Sequence, residues 1–186
     1  MEQAIPDPIT LFERAARRVD AVMAGVTPDQ LGDPTPCREW TVQDLVDHIV
    51  GGPAYLLGAL AGSQPGAPRT AASIDDYRRG VTQVLARLRE PGALERTCQS
   101  PLSFEWTIAQ ATAGTFMDQL IHTWDLATAT GQDAILDPEL VAACSAMFLP
   151  HMPEMGRQGG IVGPAVEVPA DASPQDRLLA AMGRQP

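Results

Sequence analysis

Apolar residues recur three and four positions apart along most of this chain, and that period commits it to helices that pack on one another. The first such segment runs from about Ile9 to Ala24, with Leu11, Ala15, Val19, Val22 and Met23 as its stripe. It stops at Gly25, ahead of a loop rich in Pro, Asp and Gly between Thr27 and Pro36. The second segment carries a start signal. Thr41, followed by Asp44 three residues on, resembles a capping box built with the shorter acid. Val42, Leu45, Val46, Ile49 and Val50 give its apolar face, and Leu56, Leu57 and Leu60 continue it. Pro53 lies between them, where loss of one backbone donor predicts a kink and not an end.

A third helix is predicted from about Ile74 to Arg89, carrying Tyr77, Val81, Val84, Leu85 and Leu88. A fourth runs from about Thr107 to Ala129 and closes at Gly131, a residue suited to the left-handed position after a helix. A fifth starts at Pro138 and reaches about Met147, and a short one spans Pro174 to Met182. Ala93 to Glu105 reads as irregular, with room for a short strand, and Gly159 to Pro174 reads as loop. The Gly/Pro/Ser stretch from Gly62 to Ala72 is long enough for a crossover between parallel neighbours. The expected fold is all-α: a four-helix bundle with a long crossover connection. One domain is expected over 1–186, with 159–186 as a short C-terminal extension.

Composition narrows the function classes. The formal net charge is −10 over 186 residues, and no basic cluster occurs, which argues against nucleic-acid binding. All 13 basic residues are Arg, with no Lys and no Asn, the signature of a GC-rich coding sequence. Cys37, Cys98 and Cys144 are far apart and form no CxxC pair, against a zinc ribbon, a thioredoxin motif or a disulfide framework. No signal peptide and no apolar run of about 18 residues is read, so the expectation is a cytoplasmic protein with reduced thiols and no membrane span.

Chemistry is scarce. Three histidines occur, His48, His122 and His151. At about 100° per residue His48 falls within the apolar face of the second helix. Asp118 and His122 are four apart, so both project from one face of the fourth helix. An inward carboxylate is costly unless paired or bound to a metal. One reading is a divalent metal held by His48, Asp118 and His122, a set found in catalytic zinc sites and also suited to iron or nickel. The other is a core His122 hydrogen-bonded to Asp118, with His48 a separate satisfied histidine.

The words TPCREWTVQDLVDHIVGG at 35–52 and DQLIHTWDLATATGQ at 118–132 resemble actinobacterial members of the DinB-like bundle superfamily. They are similar to the N-terminal domain of mycothiol-dependent maleylpyruvate isomerase, and the ending GPAVEVPADASPQDRLLAAMGRQP resembles a metal-binding subgroup of that family. The resemblance implies His48, Asp118 and His122 as metal ligands, with zinc the expected ion and nickel or iron compatible. It implies mycothiol as a small-molecule thiol partner, an electrophilic substrate, and thiol transfer or isomerisation as the reaction. A non-catalytic metal- or ligand-binding protein is the alternative, and a homodimer is compatible with either. Where this chain has Asp118 the family pattern has Glu or His, so a shorter side chain requires a closer helix.

Other residues carry weaker readings. Asp125 is a candidate to orient a ligand from behind, with a surface or Arg-paired role as the alternative. Tyr55, two turns beyond His48, is a candidate for the metal cavity or a core tyrosine. Cys37 precedes the second helix, whose dipole lowers a nearby thiol pKa, while the plainer reading is a small buried apolar residue. Trp40 is read as a plug at the bundle end, and His151 as an exposed residue at a helix end.

Overall fold

Each long helix begins where a side chain satisfies the free backbone donors of its first turn. In the computed structural model, which describes residues 7–63 and 70–186, α1 spans Pro8–Ala24. Its cap is Asp7, whose carboxylate accepts the N–H groups of Ile9 and Thr10 at 3.0 Å. Helix α2, Val42–Leu60, starts with the predicted reciprocal pair. The Thr41 N–H donates to Asp44 Oδ2 at 2.9 Å, and the Asp44 N–H donates to Thr41 Oγ1 at 3.2 Å. Ser73 with Asp76 caps α3, Ile74–Leu88, and Thr107 with Gln110 caps α4, Ile108–Ala129, in the same way. Each such cap is worth about 1 kcal/mol.

Pro53 lies inside α2 without ending it. A Cβ on Gly80 of α3 would fall 2.9 Å from Pro53 Cβ, so glycine is what lets α3 lie against the proline ring. Helix α4 ends as its sequence predicts. Gly131 takes φ 67°, and the Gln132 N–H donates back to the Ala127 carbonyl at 2.8 Å, a Schellman closure. Part of the predicted crossover linker, residues 64–69, lies outside the described residues.

Helix α4 packs on α1 and α2, and α3 packs on α1 and α2. Val19, Val22, Leu45, Ile49, Tyr77 and Leu126 belong to the shared core. Side chains of α4 are buried almost continuously from Ile108 to Ala127, the behaviour of a helix enclosed on all sides. Each fully buried Leu or Ile there contributes about 1.5–3 kcal/mol.

The segment read as irregular holds a hairpin. Strands β1, Thr97–Gln99, and β2, Glu105–Thr107, pair antiparallel, with Cys98 opposite Trp106. Three residues per strand are too few to show an alternation in sequence. The Trp106 ring lies over Gly114, where a Cβ would come within 2.8 Å of it.

The described residues form two compact units, the larger ending at Ala134 and the smaller beginning at Ile135. The smaller unit holds α5, Pro138–Phe148, α6, Met152–Gln158, and α7, Pro174–Ala181, with α5 packed on α7. Helix α6 is absent from the sequence prediction, since seven residues give no full hydrophobic period. The chain is thus mostly helical. Among the described residues no helix is long and apolar enough to cross a membrane.

Candidate metal centre

The loop ahead of α2 is folded back on itself by its own backbone. The N–H groups of Val42 and Gln43, free by their place in the first turn, donate to the carbonyls of Asp33 and Leu31 at 2.9 and 3.0 Å. The Thr35 N–H donates to the Trp40 carbonyl at 3.1 Å, and the Trp40 N–H to the Cys37 carbonyl at 3.1 Å. Glu39 adopts φ 69° to close this turn, a left-handed conformation uncommon for a residue with a Cβ. The closed loop carries Cys37 and Trp40 to the side chains of α2 and α4.

There, three of the predicted residues meet. His48 Nε2 lies 3.1 and 3.2 Å from the two carboxylate oxygens of Asp118. His122 Nε2 lies 3.4 Å from Asp118 Oδ1, one helical turn away. The two imidazole centroids are 4.7 Å apart. The shorter acid reaches because α2 and α4 approach closely beside it. A Cβ on Gly52, one turn after His48, would lie 3.1 Å from Thr115 Cγ2, one turn before Asp118.

Exposure falls across the cluster, from 39% for the His48 side chain and 33% for Asp118 to 10% for His122. His48 therefore stands at the open edge of the apolar face and not within it. Burial pushes the Asp118 carboxyl up, but the charges of His122 and His48 and their hydrogen bonds outweigh it and hold it well below the usual carboxylate range. For His122, burial acts downward. The Asp118 charge leads the opposing effects, joined by hydrogen bonds with Asp118, Asp125 and Cys37, and the imidazole is held well above its ordinary value.

Asp125 sits behind His122. Its side chain is fully buried, and its Oδ2 accepts from His122 Nδ1 at 2.8 Å and from the Cys37 thiol at 3.2 Å. Cys37 Sγ is also 3.7 Å from His122 Nδ1. Trp40 covers both imidazoles, 4.9 Å from the His48 ring and stacked at 5.8 Å on that of His122. Two groups of donors thus have all their ligand atoms within 4.8 Å of one another: His48, Asp118 and His122, and Cys37, His122 and Asp125.

Tyr55 is placed elsewhere, a correction to its reading as a cavity residue. Its hydroxyl donates to the Gln99 carbonyl at 2.8 Å and accepts from Trp106 Nε1 at 2.9 Å, fastening the hairpin to α2. His151 is exposed and precedes α6 in the smaller unit. The sequence reads Trp40 as an end plug and Cys37 as either a thiol under the α2 dipole or a small buried apolar residue, and neither reading places them against the histidines. The signal for both was their place just before the Thr41 cap, which sets them over the first turns of α2.

The profile of the mycothiol maleylpyruvate isomerase N-terminal domain matches residues 12–127, spanning His48, Asp118, His122 and Asp125. Two uncharacterised proteins of Mycobacterium tuberculosis, from strains CDC 1551 and H37Rv, are each 34% identical over 188 residues, covering 96% of this chain and 98% of the relative. A crystal structure of a mutant of mycothiol-dependent maleylpyruvate isomerase shares the fold, with TM-score 0.59 at 12% identity over 73% of this chain. The match spans 65% of the length of that solved protein. On the profile match and the resemblance of its two internal motifs, the chain belongs to the mycothiol maleylpyruvate isomerase N-terminal domain family, within the DinB-like group.

Proposed function

We propose that this chain is a DinB-like four-helix bundle, one domain over 1–186, that binds a divalent metal through His48, Asp118 and His122. In this reading it uses the metal with a small thiol, mycothiol, against an electrophilic substrate, as a thiol transferase or isomerase-like enzyme of the cytoplasm. The observation that carries the reading is the convergence of His48 Nε2, the Asp118 carboxylate and His122 on one point, reached from two helices. The donor set fits: two imidazole nitrogens and one carboxylate suit zinc, and nickel or iron accept the same atoms.

A divalent ion in such a three-ligand site lowers the pKa of a thiol or water and acts as a Lewis acid. The protein's own groups prepare the site for it. Asp125 accepts the Nδ1 proton of His122, which leaves the Nε2 lone pair facing Asp118 and His48. Trp40 shields one face of both imidazoles from water, while the exposed edge of His48 leaves an approach for a small molecule. Asp118 supplies one negative charge against a dication. A homodimer is compatible with this reading.

The test pairs elemental analysis of the purified chain with a thiol-consumption screen. About one divalent ion per chain is expected, with loss of mycothiol in the presence of an electrophile that stops on chelation while helicity persists. Glutathione is expected to be the poorer thiol. Metal without metal-dependent thiol loss would leave the non-catalytic binding protein. Absence of metal would leave a histidine pair hydrogen-bonded to Asp118.

A further inference from the structure

We propose that Cys37, Asp125 and the Nδ1 edge of His122 form a second cation site, selective for a thiophilic ion. It competes with the His48–Asp118 side for the single imidazole of His122. Three different donors meet there: Sγ to Oδ2 at 3.2 Å, Nδ1 to Oδ2 at 2.8 Å and Sγ to Nδ1 at 3.7 Å. Cys37 comes from the loop ahead of α2, and His122 and Asp125 come from α4.

Charge and softness distinguish the two sides. With a dication, Cys37 as thiolate and Asp125 as carboxylate give a neutral site. His48, Asp118 and His122 leave one net positive charge. Asp125 is fully buried and His122 nearly so, and a low-dielectric pocket favours the neutral combination. Sulfur adds selectivity for soft ions, which the first set lacks. A neutral imidazole offers one lone pair, so His122 serves Nε2 or Nδ1 but not both at once. Binding releases the Cys37 thiol proton and the His122 Nδ1 proton to solvent as the metal–sulfur and metal–nitrogen bonds form, leaving the His122 Nε2 proton toward Asp118, with no change of oxidation state.

Cadmium is the probe, because a cadmium–thiolate bond adds a charge-transfer absorption in the ultraviolet. Titrating the full metal-free chain with Cd2+ is expected to raise that band to saturation at about one ion per chain. Cys37→Ser is expected to abolish the band and weaken Cd2+ binding by about tenfold or more. Cys98→Ser and His48→Ala are expected to keep it. Alkylation of the unmutated protein provides a check that needs no variant: bound Cd2+ should protect Cys37 and leave Cys98 reactive. A band that persists in Cys37→Ser, or Cd2+ bound without a band, would overturn the second site. Because zinc also accepts thiolate, zinc content is compared in Cys37→Ser and in the Cys37→Ser, His48→Ala double variant. Zinc kept in the first and lost in the second, with the cadmium band dependent on Cys37, supports both sites. Zinc kept in both, or already absent from Cys37→Ser, while the band in the unmutated chain depends on Cys37, overturns only the His48–Asp118–His122 reading.

Discussion

Two turns apart on α2, His48 and Tyr55 both reach polar partners, and the two places differ in how their hydrogen bonds close. At Tyr55 the partners are neutral: Trp106 Nε1 gives to the hydroxyl, the hydroxyl gives to the Gln99 carbonyl, and the Cys98 thiol lies 3.7 Å from the same hydroxyl. Burial leads in pushing the phenol pKa well above its ordinary value, so it stays a neutral fastener. At His48 two carboxylates, two imidazoles and a thiol face one another, and only shared protons or a cation can hold them together. A closed neutral chain marks structure, and convergent charge drawn from several elements marks a site for chemistry.

The strongest way to break this contrast is His122→Ala, which removes the residue common to both donor sets. Metal content measured after dialysis should fall to background, and affinity should drop by more than the roughly 10- to 100-fold expected for a supporting residue. Retention of full metal content would end the ligand assignment. The next largest effect is at Asp118. Asp118→Asn should weaken metal binding more than Asp118→Glu, because an amide lacks the charge a dication needs. If Asp118 only accepts a hydrogen bond from His122, the order reverses, since Asn still accepts and Glu overpacks. Metal affinity and thermal stability, each with and without chelator, decide between them.

The pH dependence sharpens the same point. In the metal-free protein the raised His122 pKa contributes stability that is full below about pH 6.5 and is lost as pH rises through the raised value. The lowered Asp118 pKa contributes above about pH 4, a contribution lost only as pH falls through that lowered value. A metal must displace the His122 proton, so affinity should rise by about tenfold per pH unit over the neutral range. A zinc competition series with a chelating dye measures this slope, and a flat line would remove His122 from the ligands. The smallest metal effect belongs to Tyr55→Phe. It should leave metal affinity unchanged while costing about 1–2 kcal/mol in denaturant unfolding, because Trp106 and Gln99 lose their partner.

Local chemistry was legible wherever its cause lies within a few residues. The starts of α2 and α4, the Gly131 closure and the apolar stripes follow from capping and period, which neighbours in sequence decide. The hairpin and α6 are too short for a period and depend on what packs against them. His48, Asp118 and His122 were recognisable because helical spacing and motif resemblance both point to them. Tyr55 shares the helical phase of His48, yet its hydroxyl is claimed by Trp106 and Gln99 from far along the chain.

The sequence by itself determined the long helices, the Thr41–Asp44 cap and the pairing of Asp118 with His122 on one face, because a helical turn is a local object. Only the tertiary structure decided that His48 faces that pair, through the close approach at Gly52 and Thr115. It also decided that Cys37 and Trp40 close over the cluster. The bonds that hold their loop join Asp33, Leu31 and Thr35 to Val42, Gln43 and Trp40, and the side chains they place meet α4 across a separation no spacing rule reaches.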